Sequence, residues 1–161
     1  MRQLLTSVKF FAFLYNHTLT ERRDRIVKKY LPALLVITAI GILAYWADFF
    51  LSGTVKARQD NVYLSFQSAF PLADAWLTFC ILMTVFNHFR REERKKILFG
   101  LLSSSSMIFL ALIDIHFNLN QGIYKNSDTP IFMETIINIW LVSLGIATAI
   151  CLYRDLMKKE R

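Results

Sequence analysis

Four long apolar runs separated by polar breaks dominate the chain, at residues 31–51, 71–89, 97–117 and 131–153. None of them contains a Lys or Arg. At about 1.5 Å per helical residue, each is roughly 28–35 Å long, enough to cross a bilayer core of about 30 Å. Pro32, Pro71 and Pro130 stand at or just before the starts of the first, second and fourth runs, where a missing N–H leaves no helical bond unmade. The pattern predicts an all-α membrane protein, a four-transmembrane-helix bundle occupying residues 30–153. Ahead of it, Leu4, Val8, Phe11 and Tyr15 recur at helical spacing and precede a basic cluster from Arg22 to Lys29. Lys9 interrupts the apolar run and no small-residue cleavage site follows Tyr15, so residues 1–29 read as an interfacial amphipathic helix with a basic segment and not as a signal peptide. Residues 154–161 read as a basic tail.

Composition strengthens this picture. Hydrophobic residues make up 55% of the 161 and charged residues 19%, against about 45–50% and about 25% in ordinary soluble domains. Lys and Arg fall in blocks: seven up to Lys29, five in Arg90–Lys96 and four from Arg154 onward, against only Lys56, Arg58 and Lys125 in the alternate loops. That asymmetry predicts cytoplasmic N and C termini, in a multi-pass protein of the cell inner (plasma) membrane. The sequence pI of 9.6 then reflects topology and attraction to anionic lipids on the cytoplasmic side, and nucleic acid is not an expected partner.

Each run carries one carboxylate, Asp48, Asp74, Asp114 and Glu134. Counted from the run midpoints, all four lie about 9–12 Å toward the extracytoplasmic side. Intramembrane acids are costly and default to functional candidates. Small and polar residues share their faces: Thr38, Gly41 and Tyr45 with Asp48; Thr78 with Asp74; Ser103 and Asn118 with Asp114; Asn138, Gly145 and Thr148 with Glu134. Stripes of this kind face a bundle interior, which predicts an outward-facing acidic cavity. Its candidate ligand-binding residues are Tyr45, Asp48, Asp74, Trp76, Thr78, Asp114, Glu134 and Asn138.

Other roles compete for the same residues. Asp74 and Glu134 follow Pro71 and Pro130 closely enough to complement a helix dipole in the first turn, and Asp48 is near enough to the surface to reach headgroups. Asp114, late in its run, has no such explanation. The layer must be neutralised by bound protons, by a bound cation, or by Lys56, Arg58 or Lys125 folding inward; clustered acids would titrate as a group. The alternation in Asp114-Ile115-His116-Phe117-Asn118 resembles a strand, and an early helix end would let His116 join Asp114 and Glu134 as weak metal candidates. Trp46 and Trp76 lie at the depth of an interfacial aromatic belt, and Trp140 near the midplane. An aromatic wall beside carboxylates suits an amine or quaternary ammonium ligand.

No Gly-rich phosphate loop, His-Glu-x-x-His, Gly-x-Ser-x-Gly or Cys-x-x-Cys pattern is present, so common phosphate, hydrolase and thiol-redox chemistries have no motif to rest on. Cys80 and Cys151 read as small packing residues, and no cofactor is expected. The leading expectation is therefore a small multi-pass protein binding a cation, proton or small amine-like ligand, with transport as one use of that site. The alternatives are a non-catalytic subunit or assembly factor of a membrane complex, and a metal-dependent intramembrane lipid enzyme built on Asp114, His116 and Glu134. A homodimer or a membrane-complex subunit is the protein partner these readings call for.

Overall fold

The computed structural model describes residues 29–125 and 129–159; the expected interfacial helix lies outside them. Among the described residues the chain is all-helical, and four helices are long and apolar enough to span a membrane. Helix α1 covers Lys29–Leu51, α2 Asn61–Gln67, α3 Phe70–Phe89, α4 Glu93–Asn120 and α5 Thr129–Lys159. A single 3-10 turn, Ile123–Lys125, follows α4. Helix α5 continues past the expected end of its apolar run, through residues 154–159.

The ends of the elements have local causes. At the end of α1 the Asp48 carbonyl accepts the amides of Ser52 and Gly53, with Gly53 in the left-handed region at φ 69°, where a side chain would be strained. The Asp60 carboxylate caps α2 by accepting the Tyr63 amide at 2.9 Å, meeting one of the donors a helix start leaves unpaired. Helices α3 and α4 are joined by a tight turn in which the Glu92 amide bonds the Asn87 carbonyl at 3.0 Å and Arg91 takes φ 58°.

Packing divides the bundle into an apolar and a polar half. Leu35 of α1, Leu77 and Ile81 of α3, Met107 of α4 and Leu141 and Leu144 of α5 form the central core. Helices α4 and α5 approach closely where Ser104 donates to the Gly145 carbonyl at 2.7 Å, the small-residue contact expected between membrane helices. Large apolar side chains cover the outside of every long helix, for example Ile40, Phe86, Phe109 and Ile139, as lipid contact requires. At one end α2 leads into α3 through Ser68 and Ala69, both in helical conformation, so that Asn61–Phe89 runs as one long span. Its Phe66 stacks on Phe117 of α4 with ring centroids 3.7 Å apart, and Tyr63 packs with Ile123 and Ile131. This end carries the polar half.

Candidate functional site

The polar half is built from pairs four residues apart on facing helices. Asp114 and Asn118 share one face of α4; Glu134 and Asn138 share one face of α5. The Asn138 Nδ2 donates to Asp114 Oδ2 at 2.6 Å, and the Asn118 Nδ2 donates to the same oxygen at 3.1 Å and to Glu134 Oε2 at 3.2 Å. One amide thus bridges the two acids. Helix α2 adds two donors to the network: Gln67 Nε2 donates to Asp114 Oδ1 at 3.1 Å, and the Tyr63 hydroxyl donates to Glu134 Oε1 while accepting the Ala57 amide at 3.2 Å. Asp74, across the bundle on α3, accepts from the Trp46 indole at 2.8 Å.

All of these donors are neutral. Among the described residues none of the four carboxylates forms an ion pair with Lys56, Arg58 or Lys125. Lys56 instead places its ammonium 4.7 Å from the centre of the Phe49 ring. Hydrogen bonds stabilise a carboxylate held away from water but leave its charge uncompensated, so the buried Glu134 and the half-buried Asp74 and Asp114 call for protons or a cation. Asn118 adds a further acceptor: it is fully buried, and its Oδ1 has no hydrogen-bond partner.

A cavity of about 570 Å³ adjoins the network, within the range of small-molecule sites. Asp48, Asp74, Asp114, Glu134, Asn138 and Tyr45 all line it. Its lower walls are apolar, from Ile42, Leu110, Ile137 and Leu141. At the bottom the Trp140 indole donates to Thr38 Oγ1 at 3.0 Å.

Several expectations change on this geometry. Trp76 stands on the outside of α3, half exposed and tilted against Phe79, and is not in the cavity wall; the tryptophans there are Trp46 and Trp140. Thr78 is buried behind the wall with its Oγ1 unpartnered, because the four-residue step from Asp74 carries it toward the core. Asp48 reaches the rim but serves its own loop, accepting from the Ser52 and Thr54 hydroxyls and the Val55 amide. Asp74 and Glu134 lie beyond the first turns of α3 and α5, so dipole compensation does not account for them. The metal reading also fails to assemble. Helix α4 runs unbroken to Asn120, which turns His116 away from Asp114 to an exposed bond with Asn120 at 2.9 Å. Among the described residues no cluster of His, Cys, Asp and Glu is placed to hold a metal.

Tyr63 and Gln67 escaped the sequence reading because residues 52–69 looked like a plain loop. The signal was present: Asp60 is a strong N-cap type, and Tyr63 and Gln67 repeat four apart behind it. Trp46 was hidden by its interfacial depth, since nothing in the chain links it to an acid 28 residues away. Compared with protein-family models, curated proteins and solved structures, the chain has no significant match in any of the three.

Proposed function

We propose that this is a multi-pass protein of the plasma membrane, with both termini cytoplasmic, whose acid-lined cavity opens on the extracytoplasmic side and binds a small protonated amine or comparable cation. The bound cation exchanges with protons at the same carboxylates. The observation that carries this reading is the meeting of Asp74, Asp114 and Glu134 at one cavity with only neutral hydrogen-bond donors around them. A singly charged ammonium supplies what those donors lack, and the aromatic faces of Tyr45 and Trp46 on the same wall add cation–π attraction. The excess of Lys and Arg in the two terminal segments and in Arg90–Lys96 supports the orientation and anionic cytoplasmic lipid as the surrounding partner.

The test is methylammonium binding to the purified protein in lipid nanodiscs, followed by thermal unfolding. A ligand at about 100 times its Kd stabilises a folded state by about 2.7 kcal/mol, a shift that is readily measured. The shift is expected to shrink as pH falls, because protons and cation compete, and to be lost in Asp114→Asn but kept in His116→Ala. Absence of any shift for methylammonium across pH, in a protein that unfolds cooperatively, refutes the proposal.

A further inference from the structure

We infer that the cavity has a second mouth, open sideways to the bilayer between α1 and α5, and that its ligand is a long-chain primary amine that enters from the lipid. This deepens the reading above and rests on it.

Residues that line a cavity and are also exposed mark its openings. On α1 these are Ile37, Gly41 and Ala44, spaced four and three apart along one stripe. Facing them on α5 are Met133 and Trp140, both exposed, with half-buried Ile137 between them. Each stripe spans seven residues, about 10 Å of helix, so the mouth is a vertical slot. Gly41 sits in the middle of it, and a Cβ built there meets no atom within 4 Å. In a bundle whose outer surface is apolar, this slot faces acyl chains.

The interior is polarised along the slot. The carboxylates of Asp74, Asp114 and Glu134 lie at the upper end. Below them the wall is aliphatic, down to the Trp140–Thr38 bond that forms the floor. The rim at Asp48 is ten residues above Thr38, about 15 Å along the helix. A small hydrophilic cation has no use for that lower wall, whereas a single alkyl chain does. The carboxylates of Asp74, Asp114 and Glu134 on the cavity wall accept hydrogen bonds, which favours a head bearing N–H donors over a quaternary one.

The experiment compares dodecylammonium with methylammonium in nanodiscs of zwitterionic lipid, using wild type, Gly41→Trp, Ala44→Trp and Asp114→Asn. Filling the slot with Gly41→Trp or Ala44→Trp is expected to weaken dodecylammonium binding by about tenfold or more, and by more than it weakens methylammonium binding; Asp114→Asn weakens both. A dodecylammonium derivative with a mid-chain diazirine, used on the wild type, is expected to label residues 37–44 and 133–140, and this arm needs no variant to fold. Unaltered dodecylammonium binding in the slot variants, or labelling confined to other segments, overturns the lateral mouth. If methylammonium still binds through Asp114 in that case, the proposed function survives; if neither amine depends on Asp114, both proposals fall.

Discussion

Three glycines facing different surroundings provide a graded test of how tightly the bundle is made. A Cβ built at Gly145 would stand 2.7 Å from Ile108 Cγ1, 3.0 Å from the Ser104 carbonyl oxygen and 3.3 Å from Met107 Cβ. One neighbour is backbone and another is a side-chain root, so relief requires α4 and α5 to separate. Overpacking of this kind costs about 1–3 kcal/mol, and weakening the Ser104–Gly145 bond adds about 0.6 kcal/mol. The better helix propensity of Ala returns about 1 kcal/mol, leaving Gly145→Ala destabilised by about 0.6–2.6 kcal/mol. At Gly100 the nearest atom is closer, Leu152 Cδ1 at 2.2 Å. That atom is a terminal methyl beside a void of about 110 Å³ that Leu152 itself lines, so a rotation absorbs the clash and Gly100→Ala should be near neutral. Gly41→Ala meets nothing and should gain up to about 1 kcal/mol. The assay is unfolding in mixed micelles of increasing dodecyl sulfate content, followed by circular dichroism. If Gly100→Ala proves the most damaging of the three, as raw distance alone would order them, the reasoning is wrong. Gly145 is also two turns from Asn138 on α5, so its alanine variant should weaken methylammonium binding by stretching the 2.6 Å bond to Asp114.

Two further substitutions separate the roles of α2 and the rim. Tyr63→Phe removes a buried donor from Glu134 and an acceptor from the Ala57 amide; a bond to a charged group is worth about 1.5–3 kcal/mol, so the same titration should show a loss of that order, and an unchanged midpoint would show that α2 does not hold the acid. Asp48→Ala deletes the acceptor for Ser52, Thr54 and Val55. It should loosen the end of α1, read as faster amide hydrogen exchange in residues 49–56, while methylammonium binding stays within about twofold of wild type; a larger loss of binding would move Asp48 from loop organiser to ligand.

The legible part of the molecule was whatever one helix encodes by itself. The four apolar runs locate the central part of each long helix, though α5 ends six residues past its run, and the one-acid-per-run pattern anticipates the level at which Asp74, Asp114 and Glu134 meet. Depth follows from counting along a single helix, and so does the pairing of Asp114 with Asn118. Facing is harder. Thr78 and Trp76 flank the same stretch of α3 as Asp74, yet one turns into the core and the other outward, because a helix rotates about 100° per residue and small errors in the assumed face become large ones. The contribution of α2 was obscured for a different reason. Seven residues are too few to form a stable helix alone; the Asp60 cap and the Phe66–Phe117 stack make it one, and only the cap lies within local sequence.

The amide of Asn118 has two hydrogens and three oxygens within reach, on Asp114, Glu134 and Tyr124. One of the three must always go without. Under the proposed function, an acid discharged by a proton or by an arriving ammonium gives up its claim on that nitrogen, and the freed hydrogen passes to whichever of the other two oxygens lacked one. Events at Asp114 are therefore felt at Glu134 through a shared, insufficient supply of donors, and thermodynamic reciprocity requires the reverse influence to be equally strong. Under the proposed function, the two helices that carry these acids hold two coupled positions, in which filling either one re-equips the other.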